Sequence, residues 1–158
     1  MTTKVKPIPD GYSNVIPYLA VKDAAKAIEF YKKVFGAKEI GRISTPDGKV
    51  GHGELQIGNA RIMLAEETPE WGNKSPQTLG DTPVSLCIYT EKVDEVYKKA
   101  LDAGARVDKN MELQDQFYGD RSGTVIDPFG HKWTIAMNIE DVPFEEMQKR
   151  FHAMYAKH

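Results

Sequence analysis

Ala24-Ala-Lys-Ala-Ile-Glu-Phe-Tyr-Lys-Lys-Val-Phe-Gly-Ala37 is the stretch that decides the fold, because its pattern returns later in the chain. Apolar residues spaced three and four apart predict an amphipathic helix over 24–35, and Gly36 allows the left-handed backbone that ends a helix. The segment from Val93 to Ala105 repeats the pattern, with a second Tyr-Lys-Lys and a second Gly-Ala stop. The repeat predicts one domain built from two similar halves.

Runs typical of β-strands surround each helix. The predicted strands cover 15–21, 38–44, 50–57 and 60–65 in the first half, and 84–90, 106–111, 123–126 and 132–137 in the second. Gly58-Asn59 and Asp127-Pro-Phe-Gly130 predict tight turns between the last two strands of each half. Each half therefore predicts a βαβββ module in an α+β fold. We expect one domain over 1–158, with module 1 at about 12–67, a loop at 68–82, module 2 at about 83–139 and a C-terminal helix at about 141–155.

Composition and charge exclude several classes of partner. The 158 residues carry 21 basic and 23 acidic side chains, a net charge of −2, with no basic run longer than a pair. This balance argues against nucleic acid and anionic membranes as partners, and no apolar stretch approaches the ~20 residues of a spanning helix. The lone Cys87 excludes an internal disulfide and is interpreted as a small core residue. The N-terminal sequence lacks an apolar signal core, which predicts a cytoplasmic protein with a short mobile lead-in.

A set of short motifs carries a resemblance to a known family. Residues 12 to 140 resemble the vicinal oxygen chelate superfamily of glyoxalases, bleomycin-resistance proteins and extradiol dioxygenases, in its PhnB-like branch. The motifs are Pro17-Tyr-Leu, Ala27-Ile-Glu-Phe-Tyr31, Phe35-Gly-Ala37, His52-Gly-Glu-Leu, Val93-Asp94, Ala103-Gly-Ala105, Tyr118-Gly-Asp-Arg121 and Asp127-Pro-Phe-Gly-His-Lys-Trp133. Each motif is weak alone, and their order is specific for the fold.

The resemblance implies a half-open mixed β-barrel with helices outside and a concave face that holds a ligand. In metal-using relatives, His and Glu from the first and last strand of each module bind a divalent ion. Those positions fall on or within one residue of Ile16, Met63, Ser85 and Thr134. None of these supplies imidazole, thiolate or carboxylate, so we expect no metal and no other cofactor. A displaced site around His52 and Glu54 would need a third ligand from Asp120 or Glu66.

His52, Glu54 and Gln56 alternate with Leu55 and Ile57 along a predicted strand, so they share one face. That face has two interpretations. It is either the solvated side of an antiparallel sheet, or a polar patch in a cavity walled by Ile16, Tyr18, Met63, Cys87 and Thr134. In the second case burial would raise the pKa of Glu54, which could act as a general base, with His52 either carrying the proton onward or holding the carboxylate in place.

Two loops supply further candidates. Over 114–121, Tyr118 would cap either a ligand or the core, and Arg121 would either bind a carboxylate or phosphate or form an ion pair with Asp120. In the loop after module 1, Trp71 is expected to pack on the cavity mouth, a partner subunit or the sheet edge. The predicted substrate-binding set is Tyr18, Gln56, Met63, Trp71, Tyr118 and Arg121.

The C-terminal segment predicts a helix with Asp141 at its cap. Its apolar residues, at helical spacing, are Phe144, Met147, Phe151, Met154 and Tyr155. The stripe would pack on its own domain or across a homodimer, and we expect the homodimer.

Three functions are consistent with these observations. The first is a metal-independent protein that binds a small organic molecule, of the resistance or sequestration type. The second is an acid–base lyase or isomerase that uses Glu54 and His52. The third is a metal-dependent lyase or dioxygenase-like enzyme.

Overall fold

A computed structural model describes residues 4–157, and the chain divides between Asp81 and Thr82 into two compact units. Unit 1 is the part up to Asp81, and unit 2 is the part from Thr82. The first three residues of the expected lead-in, and His158, lie outside the described residues. Assignment of all of 1–158 to one domain, and closure of the two sheets into a half-open barrel, stay predictions.

Unit 1 contains one mixed sheet and one long helix. Its elements are β1 (Tyr18–Val21), α1 (Ala24–Phe35), β2 (Lys38–Ser44), β3 (Val50–Ile57) and β4 (Ala60–Glu66), followed by a 3₁₀ turn (Pro69–Trp71) and the short helix α2 (Pro76–Leu79). The strand order is β1-β4-β3-β2, in which β1 runs parallel to β4 and the other pairs are antiparallel. The predicted βαβββ order of module 1 is confirmed.

Apolar periodicity and capping explain why α1 forms where it does. Ile28, Tyr31 and Val34 are buried on one side of the helix, at the spacing predicted from the sequence. The Glu66 carboxylate accepts hydrogen bonds from the first backbone amides at the helix start, those of Asp23 and Ala24, at 2.9 Å each. Gly36 ends the helix with φ of +66°, the left-handed conformation expected of it.

Unit 2 repeats the arrangement with an additional short strand. Its elements are β5 (Ser85–Tyr89), α3 (Val93–Asp102), β6 (Arg106–Val107), β7 (Gln114–Asp115), β8 (Asp120–Ile126), β9 (Lys132–Asn138) and α4 (Phe144–Tyr155). The strand order is β5-β9-β8-β6, and β7 also pairs with β8. The predicted turn before β9 is confirmed, since Asp127 accepts hydrogen bonds from Phe129, His131 and the indole of Trp133.

Several predicted boundaries are wrong. The strand expected over 106–111 stops at Val107, because a turn begins at Asp108, whose carbonyl accepts from the amide of Met111. The segment expected to be a loop at 114–121 contains β7 and the start of β8, and the loop at 68–82 contains the 3₁₀ turn and α2. Pro143, not Asp141, stands at the N-cap of α4, since proline at the start of a helix needs no hydrogen-bond partner for nitrogen. Across the described residues 4–157, none of the helices has the length and apolar character needed to cross a membrane.

Candidate functional site

The open face of the unit 1 sheet carries a cluster of polar side chains. Strand register places Tyr18 beside Met63, Met63 beside Glu54, and Arg61 beside Gln56, and partners in register point to the same side of a sheet. Tyr12, from the segment before β1, reaches the same face. We call this group the polar cluster: Tyr12, Tyr18, His52, Glu54 and Arg61.

The Glu54 carboxylate lies at the centre of the polar cluster with both oxygens engaged. The Tyr12 hydroxyl donates to Oε1 at 2.6 Å and to Oε2 at 2.8 Å. Arg61 donates to Oε2 at 2.7 Å, and His52 Nε2 lies 3.1 Å from Oε1. The Glu54 side chain is only 17% exposed, so these contacts replace most of its hydration. A carboxylate with this set of donors is held in one position and in its charged form.

The pKa of Glu54 is lowered to about 2 from 4.5, first by the Tyr12 hydroxyl and next by Arg61, with a smaller contribution from His52. The expectation that burial would raise this pKa is wrong, because donated hydrogen bonds stabilise the anion more than desolvation destabilises it. A carboxylate of such low pKa is a weak proton acceptor at neutral pH. Glu54 as the general base that takes a substrate proton is therefore not supported.

His52 links Glu54 to Tyr18. Since the ionised Glu54 can only accept, His52 Nε2 carries the proton in their contact, and in the neutral ring Nδ1 is then the acceptor. The Tyr18 hydroxyl lies 2.7 Å from Nδ1, and burial, followed by the negative charge of Glu54, raises the pKa of Tyr18. Glu54 thus fixes the tautomer and orientation of His52, and the same contact holds the carboxylate in place, which is one of the two roles expected of His52.

Arg61 and Tyr12 also contact each other, which ties the N-terminal segment to the sheet. The guanidinium carbon of Arg61 lies 4.7 Å from the centre of the Tyr12 ring, within the range of a cation–π contact. The Arg61 side chain is 11% exposed, and its Nε has no hydrogen-bond partner among the described residues. Hydrogen bonding to Glu54 and Glu54's charge raise the pKa of Tyr12, so its hydroxyl stays protonated as a donor.

The remaining candidates of unit 1 take different positions. Met63 is half-buried on the open face, between Tyr18 and Glu54, where it provides an apolar surface. Gln56 shares the face, but its amide donates to the Gly58 carbonyl at 2.9 Å in the hairpin turn. Trp71 is 86% exposed in the 3₁₀ turn, so of its three expected packings the one on the sheet edge is wrong, and the cavity mouth and a partner subunit stay predictions. Within this turn the Trp71 amide donates to the Thr68 carbonyl at 2.9 Å.

The donor set does not fit the divalent ion that the family resemblance implies. Ile16, Met63, Ser85 and Thr134 offer no imidazole, thiolate or carboxylate at the family's ligand positions. Among residues 4–157, no three His, Cys, Asp or Glu side chains come close enough together to hold a metal ion. Glu66 was one expected third ligand for a displaced site, and its carboxylate instead caps α1. The residues of this face therefore do not form a site for a divalent metal ion.

The open face of the unit 2 sheet is less charged. At the registers that Glu54 and Met63 occupy in unit 1, this face has Thr124 and Thr134, whose hydroxyls are 2.8 Å apart. Cys87 pairs in register with Thr134 and is exposed, so its predicted core position is wrong. Strand β5 is an edge of the unit 2 sheet, which leaves that side of Cys87 uncovered. Partial burial raises the pKa of the Cys87 thiol, so it is protonated at neutral pH.

One end of this face forms an open cleft of about 470 Å³. We call it the unit 2 cleft, and its lining is Tyr89, Tyr118, Asp120, Asn138, Asp141, Val142, Pro143 and Met147. Asp120 is 6% exposed and accepts from the Tyr89 hydroxyl at 2.6 Å and from the Asn138 amide at 3.3 Å. The hydrogen bond to Asp120 is the main cause that raises the pKa of Tyr89 to about 12. Tyr118 hydrogen-bonds Ser122 at 3.1 Å, so its ring position is fixed.

Arg121 forms ion pairs, but not with the expected partner. Its guanidinium contacts Asp94 at 2.7 Å and Asp115 at 3.0 Å, and these hydrogen bonds raise the pKa of Arg121 further. The predicted pair with Asp120 is wrong because successive strand residues point to opposite faces of β8. Arg121 pins α3 and β7 to β8.

The sequence reasoning missed Tyr12 and Arg61 in unit 1. Arg61 could have been found, because the tight turn at Gly58-Asn59 fixes the hairpin register and places Arg61 on the face of Gln56 and Glu54. Tyr12 gave no such signal, since it reaches Glu54 from 42 residues away in an irregular segment. In unit 2 the missed residues are Tyr89, Asp120 as a cleft residue, Asn138 and Val142.

Comparison with known proteins is consistent with this geometry. The family model described as Glyoxalase/Bleomycin resistance protein/Dioxygenase superfamily matches residues 14–135. An uncharacterised protein of Mycobacterium bovis is 44% identical over 135 residues, which cover 84% of this chain and 88% of that protein.

Two solved structures illustrate the shared fold. A gene product of Arabidopsis thaliana aligns with a TM-score of 0.63 and 27% identity, over 79% of this chain and 98% of that one. The fosfomycin resistance protein FosX of Listeria monocytogenes, solved with Mn(II) and sulfate, aligns with a TM-score of 0.60 and 24% identity, over 92% of this chain and all of that one. At 24% identity, the similarity to FosX shows a shared fold only.

Proposed function

The chain belongs to the Glyoxalase/Bleomycin resistance protein/Dioxygenase superfamily, and from that premise we propose that it binds a small organic molecule without a metal ion. The polar cluster of unit 1 is the surface that orients the ligand. The PhnB-like motifs of the sequence place it, in this proposal, in that branch of the superfamily. The single observation that carries the proposal is the engagement of both Glu54 oxygens by Tyr12, Arg61 and His52.

This engagement favours binding over metal or base chemistry at Glu54. A metal ion would have to displace the Tyr12 hydroxyl and the Arg61 guanidinium, and so leave a largely buried cation without its counter-ion. A general base would need a pKa near neutrality, far above the value of about 2 at Glu54. A role in orienting a ligand requires neither the loss of these donors nor a higher pKa at Glu54. Met63 and the Tyr18 ring supply apolar contact, and the Tyr18 hydroxyl supplies a polar group at the exposed end.

A second function is favoured by the contact between Tyr18 and His52. In this alternative the protein is an acid–base lyase or isomerase in which His52, positioned by Glu54, accepts a proton through Tyr18. Tyr18 is half exposed, so a substrate could reach its hydroxyl. Of the two catalytic candidates, His52 then exchanges the proton and Glu54 is the positioning residue.

Homodimer formation in the cytoplasm completes the proposal. Phe144 is 87% exposed and Tyr155 is 69% exposed on α4, which supports a helix face that another copy covers. Light scattering on the purified chain tests the dimer, and a monomeric mass at about 50 μM would contradict the proposed homodimer.

A ligand screen tests the proposed function. Thermal shift against a panel of metabolites and antibiotics, with EDTA and separately with divalent ions, should give hits that are unchanged by EDTA. Tyr18→Phe should weaken a hit's binding, whereas Tyr155→Phe, a matched change at an exposed tyrosine, should not. Proton NMR of protein with each hit then separates the two functions. An unaltered ligand supports binding, and turnover that His52→Ala abolishes supports the lyase or isomerase.

A further inference from the structure

We propose that the unit 2 cleft is a second binding site and that it takes a small organic ammonium ion. The proposal does not rest on the function of the polar cluster, because its residues all belong to unit 2. Three features carry it: the charge of the lining, the apolar and aromatic character of the walls, and the rigid support behind them.

The charge of the lining favours a cation. Asp120 and Asp141 are the carboxylic acids of the cleft, and among the residues that the structure describes no Lys, Arg or His lines it. Asp120 receives one hydrogen bond on each oxygen, from Tyr89 and from Asn138, whereas a carboxylate has about four lone-pair positions. Asp120 therefore keeps accepting capacity for the N–H groups of an ammonium ion.

The basic residues of neighbouring segments are engaged elsewhere. Arg121 pairs with Asp94 and Asp115, and Arg150 pairs with Glu140 at 2.7 Å and with Glu146 at 3.1 Å. Neither residue belongs to the lining of the cleft. The carboxylates of the cleft thus keep a negative potential that a ligand can neutralise.

The walls select an organic cation over a metal ion. The rings of Tyr89 and Tyr118 line the cleft together with apolar Val142, Pro143 and Met147. Aromatic faces attract ammonium groups, and apolar walls hold a hydrocarbon body. A hard divalent ion would take only the oxygen atoms and gain nothing from the aromatic and apolar walls. A primary amine on an aromatic or aliphatic body uses both parts of the lining.

The support behind the cleft is rigid. The Gly119 carbonyl accepts from the amides of both Ile139 and Glu140 at 2.9 Å, which ties the turn before β8 to the segment after β9. Arg150 of α4 donates to the Phe117 carbonyl at 3.1 Å, and the rings of Phe117 and Phe151 lie 5.6 Å apart. Both walls are therefore fixed before a ligand arrives, which reduces the entropy lost on binding.

An NMR titration tests the site with defined probes. The full chain, labelled with ¹⁵N, is titrated with benzylamine, and benzyl alcohol and benzoate serve as neutral and anionic controls. We expect saturable shifts of amides in the cleft, with a Kd of roughly 1–10 mM as is usual for so small a ligand, and much weaker shifts with both controls. Equal binding of benzyl alcohol, or no saturable shift with benzylamine, would overturn the proposal.

Charge-removing variants locate the probe. Asp120→Asn should weaken benzylamine about tenfold, because a charge-assisted hydrogen bond becomes a neutral one. Asp102→Asn, a matched change at an exposed residue of α3 outside the cleft, should leave its affinity unchanged. If Asp120→Asn does not give a native spectrum, the exposed Asp141→Asn replaces it, with about threefold weaker binding expected. Wild-type affinity in the variant used overturns the site, as does Ca²⁺ binding to the same amides with higher affinity than benzylamine.

Discussion

Replacing Tyr12 by phenylalanine removes one hydroxyl from the polar cluster and leaves the ring that Arg61 contacts. That hydroxyl is the principal cause of the low pKa of Glu54, to which it donates at 2.6 and 2.8 Å. A hydrogen bond to a charged group contributes about 1.5–3 kcal/mol, which corresponds to a change of roughly 1–2 in pKa. We therefore expect the pKa of Glu54 to rise from about 2 to between roughly 3 and 4 in the variant.

The side-chain ¹³C resonance of Glu54, followed between pH 1.5 and 7 on both proteins, measures this change. Denaturant unfolding gives a second readout. A pKa lowered from 4.5 to about 2 corresponds to at most about 3–4 kcal/mol, and solvent screening at a partly exposed carboxylate reduces this to about 1–2 kcal/mol. Because the folded-state pKa is depressed, this stability is present above pH 4.5 and is lost as the pH falls towards 2.

The difference in unfolding free energy between wild type and Tyr12→Phe should accordingly be about 1 kcal/mol at pH 7 and close to zero near pH 2. Tyr155→Phe is the control, since Tyr155 is 69% exposed and lies far along the chain from Glu54. A wild-type Glu54 pKa of 4 or more, or the same pKa in both proteins, refutes the reasoning.

Three further changes have defined outcomes. Gly119→Ala should lower the unfolding free energy by about 2–4 kcal/mol in denaturant, because φ at Gly119 is +99° and a Cβ there would overlap the Glu140 carbonyl. Gly58→Ala, at a turn with open space around it, should lower the unfolding free energy by only about 1 kcal/mol in the same assay. Arg121→Gln should lower the unfolding free energy by less than about 1 kcal/mol at low salt and by almost nothing in 1 M NaCl, because its ion pairs are solvent-screened. A larger loss that does not depend on salt would contradict this. Acrylamide should quench the fluorescence of the exposed Trp71 and hardly that of Trp133, which is 2% exposed, so the fluorescence of Trp71→Phe should resist quenching. Protection of Trp71 from acrylamide in the wild type would mean that another surface covers it.

Much of the fold was predictable because it rests on local periodicity. The limits of α1, β2 and β3 agree with the predicted ranges, since apolar spacing and Gly36 act within a few residues. The region over 106–121 was not predictable in the same way. Its short strands β6 and β7 are defined by pairing with β8, and a two-residue strand has no periodicity of its own.

The candidate site likewise has features that follow from local sequence and features that depend on tertiary contacts. Strand alternation placed His52, Glu54 and Gln56 on one face, and strand register then brings Tyr18 to it. What alternation cannot supply is the charge state of Glu54, because that depends on Tyr12 in an irregular segment. The unit 2 cleft depends on where α4 begins and on how Asp120 is partnered, and both are tertiary features.

In this proposal Glu54 is ionised at neutral pH with both oxygens hydrogen-bonded, and the protein binds its ligand without a metal ion. Elemental analysis of the protein purified without chelator tests this most directly. The account predicts less than about 0.1 equivalent of zinc, nickel, manganese or iron per chain, and no change in the ¹³C resonance of Glu54 when one equivalent of Zn²⁺ or Mn²⁺ is added. Stoichiometric metal that is lost from a Glu54→Gln variant would contradict it.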